Sequence, residues 1–190
     1  MDAKEQFLRL FKSDLHRHIE DYYGEKIFVR SRKRRKVVVR QCLAYYLDSE
    51  AEVYRKKAKE FKDELLAQGY KYKDVTATAM EKDFYPRAWS LNDIAYLLRS
   101  EINGFKCNHT DILHAKKVIN NLNNGHYEDV SKTLSEITQL VGTALSAESR
   151  KMNKTRKLFN YVENHLILSE ELTTTFEAIK TFIYKNIELL

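Results

Sequence analysis

The chain has 190 residues, 43% of them hydrophobic and 32% charged, with only 5 Gly and 1 Pro. Such a length supports one domain with a sizeable core, and so few breakers point to an all-α chain. Its 12 Tyr and 9 Phe argue against a disordered chain, and no apolar run approaches the ~20 residues that cross a bilayer.

The net charge of +6 is unevenly spread: residues 126–190 hold 8 Lys/Arg against 9 Asp/Glu, so the basic excess lies in residues 1–125. Cys42 and Cys107 match no metal spacing and no disulfide framework, so reduced thiols in a cytoplasmic protein are expected. The acidic, amphipathic N-terminal segment is not built like a signal peptide.

In chain order, Phe7, Leu8, Phe11, Leu15, Ile19, Tyr22 and Tyr23 recur at three- and four-residue steps, which predicts one apolar helix face ended by Gly24. The run "RSRKRRK", Arg30 to Lys36, has six basic residues in seven. A second helix is predicted to begin with "VVVRQCLAYYL", burying Val39, Cys42, Leu43, Tyr46 and Leu47. Its charged continuation keeps a thin stripe of Val53, Phe61, Leu65 and Leu66, and is expected to be an exposed helix ending near Gly69. From Tyr70 to Trp89, weak periodicity and Pro86 suggest an irregular connector.

"SLND" at Ser90–Asp93 reads as a capping-box variant, opening a helix with Leu91, Ile94, Ala95, Leu97 and Leu98. Asn103–Gly104 breaks it. Asn108 then caps a helix carrying Ile112, Leu113, Lys116, Ile119 and Leu122, closed by Asn124–Gly125. Ser90–Leu122 is thus helix, turn, helix, the pattern whose second helix lays its first residues on base edges in the major groove. Beyond His126, apolar stripes run through Val130 to Leu145, Leu158 to Ile167 and Phe176 to Ile187, with Ser169 as a cap. They predict two or three helices forming a separate bundle or a self-association element.

The enzyme motifs fail: there is no phosphate-binding G-x-x-x-x-G-K-[ST], no H-E-x-x-H and no G-x-S-x-G. His16 and His18 fall on different faces of one helix, and His109 and His114 are wrongly spaced for one. No catalytic role, metal or cofactor is therefore expected. The basic run has two rival readings, a solvated loop and a membrane-surface patch. It lacks the bulky apolar anchors of a membrane-surface helix, and Arg outnumbers Lys in it, which suits bidentate phosphate contact and a narrow minor groove. Double-stranded DNA is the expected partner.

Three stretches together resemble the C-terminal DNA-binding domain, domain IV, of the bacterial replication initiator DnaA. "SRKRRKVVVRQCLAYYL" (Ser31–Leu47) is similar to that family's basic loop S-R-K-R-x-x-V-x-x-R-Q and the helix after it. "SLNDIA" (Ser90–Ala95) is similar to its S-L-x-E-I-[GA]. "CNHTDILHAKKVI" (Cys107–Ile119) is similar to its signature helix R-D-H-[ST]-T-V-[LI]-H-A-x-x-x-I. The resemblance covers roughly residues 5–125. It implies an all-α, helix-turn-helix fold with an insertion over 49–88 and a helical extension over 126–190.

It also implies a division of labour. The basic loop, with Arg32, Lys33 and Arg34 in it and Arg35 and Lys36 beside them, would put an arginine into the minor groove, and Arg40 would meet phosphate. Asn108, His109, Thr110 and Asp111 would face base edges, with His114, Lys116 and Lys117 towards the backbone. Six to ten phosphate contacts would make affinity fall roughly 10³–10⁵-fold between 50 and 200 mM salt.

Departures are visible: Cys107 stands for the family's Arg, Asn108 for its Asp and Asp111 for its second Thr, and the segment from Ile94 to His109 is longer. No counterpart of the family's ATP-binding domain occurs in these residues. The implied role is origin or operator recognition for a phage or other mobile element, in replication or transcription regulation, at the nucleoid. The alternative is a protein-interaction module, with a degenerate DNA-binding fold that binds a host or virion protein.

Overall fold

The structure is a computed structural model. It describes the backbone of residues 3–80, 82, 87–124 and 127–165, and side chains within 4–146 apart from 6, 77, 80, 81, 83–86 and 123–126. The described elements are helices: α1 (Ala3–Tyr23), α2 (Arg34–Ala67), α3 (Tyr72–Met80), α4 (Leu91–Leu98), α5 (His109–Asn124) and α6 (Glu128–His165). The one extended pairing among them is an isolated antiparallel bridge between Ser100 and Phe105. The fold is all-α, and no helix of the described residues is long and apolar enough to cross a membrane.

The chain divides into two compact units, Met1–Ala144 and Leu145–Leu190. The division falls inside α6 rather than at the residue 125/126 boundary expected from the sequence. The early part of α6 buries Val130, Ile137, Val141 and Ala144, so it belongs to the first unit's core. The expected stripes from Leu158 to Ile187, and the cap at Ser169, lie outside the described side chains.

In α1, four-residue steps bring Phe7, Phe11, Leu15, Ile19 and Tyr23 onto one buried line. Tyr22 is one position off that line and is 54% exposed, unlike the sequence expectation. Gly24, at φ +64, ends the helix, a conformation that only glycine adopts without strain. Phe7, Phe11 and Trp89 stack at centroid separations of 5.4–6.4 Å, which ties α1 to the segment before α4. Full burial of each such side chain stabilises by about 1.5–3 kcal/mol.

α2 is a single helix of 34 residues. Its first half buries Val39, Cys42, Leu43, Leu47 and Ala51 and packs against α4 and α5. In its outer half Ala58 is buried, while Val53 and Leu66 are exposed. Against α2 packs α3, where the sequence suggested an irregular connector. Among its described side chains, Val75 and Ala79, four apart, are the buried ones, too few to show as a period. The hydroxyls of Thr76 and Thr78 return to the carbonyls of Tyr72 and Asp74, which satisfies them within the helix.

α4 begins with the capping box read from "SLND": the Asp93 N–H donates to Ser90 Oγ at 3.2 Å, and the Ser90 N–H donates to Asp93 Oδ2 at 2.7 Å. Burial works against the Asp93 carboxylate, but hydrogen bonds from Lys4 and Ser90 outweigh it and hold its pKa below the ordinary value. α4 and α5 pack on one another and on α2.

Candidate nucleic-acid interface

The basic run is held from beneath. Ile27 and Phe28 are fully buried, and Glu20 Oε1 accepts both their N–H groups at 3.0 and 3.3 Å. The His16 ring stacks on Phe28 at 3.7 Å and bonds through Nε2 to the Leu97 carbonyl of α4 at 2.7 Å. Burial pushes the His16 pKa down to about 4. The neutral ring with Nε2–H donating to that carbonyl is therefore the form the fold uses.

Arg40 then fixes the loop from the side. Its guanidinium donates to the carbonyls of Ile27 (3.1 Å), Val29 and Ser31 (2.7 Å) and lies 4.6 Å from the centroid of Phe105. Arg40 is thus engaged within the chain, joining the basic loop to the α4–α5 turn, rather than free for phosphate. A guanidinium suits this because its planar fork reaches several carbonyls while its face covers a ring.

Joining these segments creates a cleft of about 730 Å³ lined by Arg30, Ser31, Arg32, Arg40, Gly104, Phe105 and Lys106. Arg30, Phe105 and Lys106 were not among the residues singled out from sequence, although Arg30 opens the basic run. Lys106 stands alone in sequence, and only the turn brings it to the loop.

The turn itself is a small hairpin. Ser100 and Phe105 exchange N–H···O bonds of 3.0 and 2.8 Å, and Gly104 takes φ +63. Arg99 Nε donates to the Cys107 carbonyl at 2.7 Å, which sets the chain's entry into α5. Cys107 is buried, so this position presents nothing to a partner. Burial first, then Asp111, pushes its thiol up to about 11.

At the start of α5, Asn108 Oδ1 accepts the N–H groups of Thr110 (2.9 Å) and Asp111 (3.1 Å), and Asp111 Oδ2 accepts the Asn108 N–H (2.8 Å). This is a reciprocal capping box. Asn108 and Asp111 are therefore occupied with each other, and the carboxylate complements the helix N-terminus. Asn108, His109, Thr110 and Asp111 are all exposed; His109 and Thr110 are the two whose side chains take no part in the box, and His114 is exposed on the following turn.

The remaining candidates divide in the same way. Arg34, Arg35 and Lys36 form the first turn of α2, not a loop. Arg34 pairs with Asp129 at 3.0 Å, though both are well exposed. Arg35 lies near Glu25 and over Tyr23. Lys36, with its side chain only 12% exposed, pairs with Glu25 at 3.1 Å and donates to the Lys26 carbonyl. Lys116 turns inward to Asp48 (2.8 Å) and Glu52 (3.2 Å) of α2, so it does not face a backbone. Asp48 is a buried acid that also receives Arg55 at 2.8 Å. Around the basic run and the α4–α5 segment, Arg30, Arg32, Lys33, Lys106 and Lys117 are exposed and in no ion pair; Lys59, Lys71, Lys73 and Lys132 are likewise exposed and unpaired elsewhere among the described residues.

No family model, no curated protein and no solved structure matches this chain.

Proposed function

We propose that the chain is a sequence-specific double-stranded DNA-binding protein of DnaA domain IV-like design. It would recognise an origin or operator of a phage or other mobile element. One observation carries the reading: Arg40 binds the basic loop to the helix-turn-helix, so free cations and the exposed start of α5 belong to one surface. Lys106 lies in the cleft, and three residues of chain reach at most about 11 Å from it to His109. Arg30, Arg32, Lys33 and Lys106 would neutralise phosphates, Lys117 would extend the contact along α5, and His109 and Thr110 would meet base edges. The cations occupied internally lower the expected count of phosphate contacts to about five, a salt slope near −4.5 and a fall of roughly 10²–10³-fold from 50 to 200 mM.

Selection from a random duplex library, followed by salt titration of the enriched site, tests this. An enriched motif bound with that slope is expected. Failure to enrich any motif, with no salt dependence, would overturn it. The second reading, a protein-interaction module, is favoured by the exposed Leu66, Tyr70 and Tyr72 around the α2–α3 junction, and that outcome would leave it standing.

A further inference from the structure

The hairpin between α4 and α5 carries an apolar side chain where burial logic would not put one. Ile102 is 99% exposed at its tip. The base of the hairpin is the opposite: Ser100 is buried, Phe105 lies against the Arg40 guanidinium, and the two are joined by paired backbone hydrogen bonds. A stiff base and a bare β-branched tip make a probe that cannot fold back to hide its methyl groups. Beside it lies the cleft with Arg30, Arg32 and Lys106, which would draw a phosphate backbone to the foot of the hairpin. Burial lowers the pKa of Lys12, and the charge of the tip's own acid, Glu101, opposes that shift, so the acid's charge is partly balanced within the chain.

We propose that the Ser100–Phe105 hairpin is a wedge, whose Ile102 enters the base stack of duplex DNA seated on the basic cleft and kinks it. Short apolar side chains inserted from the minor groove unstack a base step and bend the duplex away from it, and arginines favour that same groove when it is narrow. The inference rests on the DNA-binding reading and adds to it a deformation that would make binding depend on how easily one step unstacks. Pyrimidine–purine steps would be favoured at the wedge position without any hydrogen bond to their edges.

The test uses the full chain and a duplex enriched from a random library, with a donor–acceptor dye pair at its ends and aminopurine placed at successive positions. If no motif emerges, mixed-sequence duplexes serve as the probe. Wild-type protein is expected to shorten the end-to-end distance and to raise aminopurine fluorescence several-fold at one step. Ile102→Ala should abolish both signals and weaken binding several-fold. Ile102→Phe should restore them. Thermal melts should coincide for all three proteins, because the side chain touches nothing in the fold.

Tight binding by the wild type with no fluorescence rise, or a rise unchanged in Ile102→Ala, would overturn the wedge and leave DNA binding intact. Absence of binding to any duplex would overturn both.

Discussion

Arg40→Ala removes a guanidinium that donates to the carbonyls of Ile27, Val29 and Ser31 and covers the ring of Phe105. Hydrogen bonds from a charged donor contribute about 1.5–3 kcal/mol each, and a cation–π contact about 0.5–2 kcal/mol. These terms share one side chain, and the freed carbonyls regain water, so a loss of about 3 kcal/mol is expected rather than their sum. Arg40→Lys should recover less than half, since one ammonium cannot span three carbonyls and stack as well. The sole tryptophan, Trp89, is fully buried against Phe7 and Phe11, so its fluorescence follows unfolding of the unit that holds Arg40. With a urea dependence of about 2 kcal/mol per M, the midpoint should fall by roughly 1.5 M. Salt titration of DNA binding supplies the second readout. A clasp that shapes the surface lowers affinity but leaves the salt slope unchanged, whereas a phosphate contact reduces the slope by about 0.9. A variant that loses less than about 0.5 kcal/mol of stability and shows the smaller slope would refute the clasp and return Arg40 to the phosphate role.

Asp48→Asn should cost about 2–3 kcal/mol in urea melts, because Arg55 and Lys116 lose a carboxylate buried to 3% exposure, the partly exposed cations keeping the cost below that of a fully buried pair. Burial raises the Asp48 pKa, but the hydrogen bonds and charges of Lys116 and Arg55 outweigh it and leave the pKa depressed. Its stabilisation is thus present above the unfolded value, about 4, and is lost as pH falls through the folded one; acid titration of Trp89 fluorescence should show a shallower slope in the variant below about pH 4. His16 has the opposite chemistry, because its lowered pKa of about 4 belongs to a group buried neutral. Stability should be full above the unfolded value near 6.5 and fall by up to about 3 kcal/mol as pH drops from 6.5 to 4, a decline that His16→Gln should flatten. His109→Ala and Thr110→Ala should each erode preference by about 1–3 kcal/mol at a single base pair; equal loss on random and selected duplexes, in a competition assay, would sink the recognition-helix assignment.

What the sequence made legible was local. The α1 stripe, the Ser90–Asp93 box and the Asn108 cap are set by spacings of three and four residues, and the structure forms all three. What it concealed was non-local. A lysine at position 116 looks the same in sequence whether it faces solvent or Asp48, which lies 68 residues earlier. Arg40 matched a phosphate-contacting pattern by its neighbours, yet its partners are carbonyls 9 to 13 residues back and a ring on another element. Asp111 read as a base-edge candidate because a capping acid and a recognition acid are indistinguishable before the helix start is fixed. α3 was missed for want of signal, since Val75 and Ala79, the buried residues among its described side chains, cannot establish a period. Gly104 was visible as a break, but the pairing of Ser100 with Phe105, and with it the exposure of Ile102, needed coordinates.

The internal use of cations bears directly on the proposed function. Phosphate contacts position a protein on DNA, and base contacts specify the sequence; the two must be held in register for either to serve the other. Here the loop with Arg30, Arg32 and Lys33 and the helix start with His109 and Thr110 come from segments more than 70 residues apart in sequence. Their connection runs through Arg40 to Phe105, across the hairpin bridge to Ser100, and from Arg99 to the Cys107 carbonyl just before α5. Each link is a hydrogen bond, a ring contact or the chain itself. A cation withdrawn from phosphate contact at position 40 therefore fixes where the free cations stand relative to the residues that would read bases. In that design Arg40 governs register rather than net attraction, and its loss should broaden the set of sequences bound more than it lowers the charge-driven part of affinity.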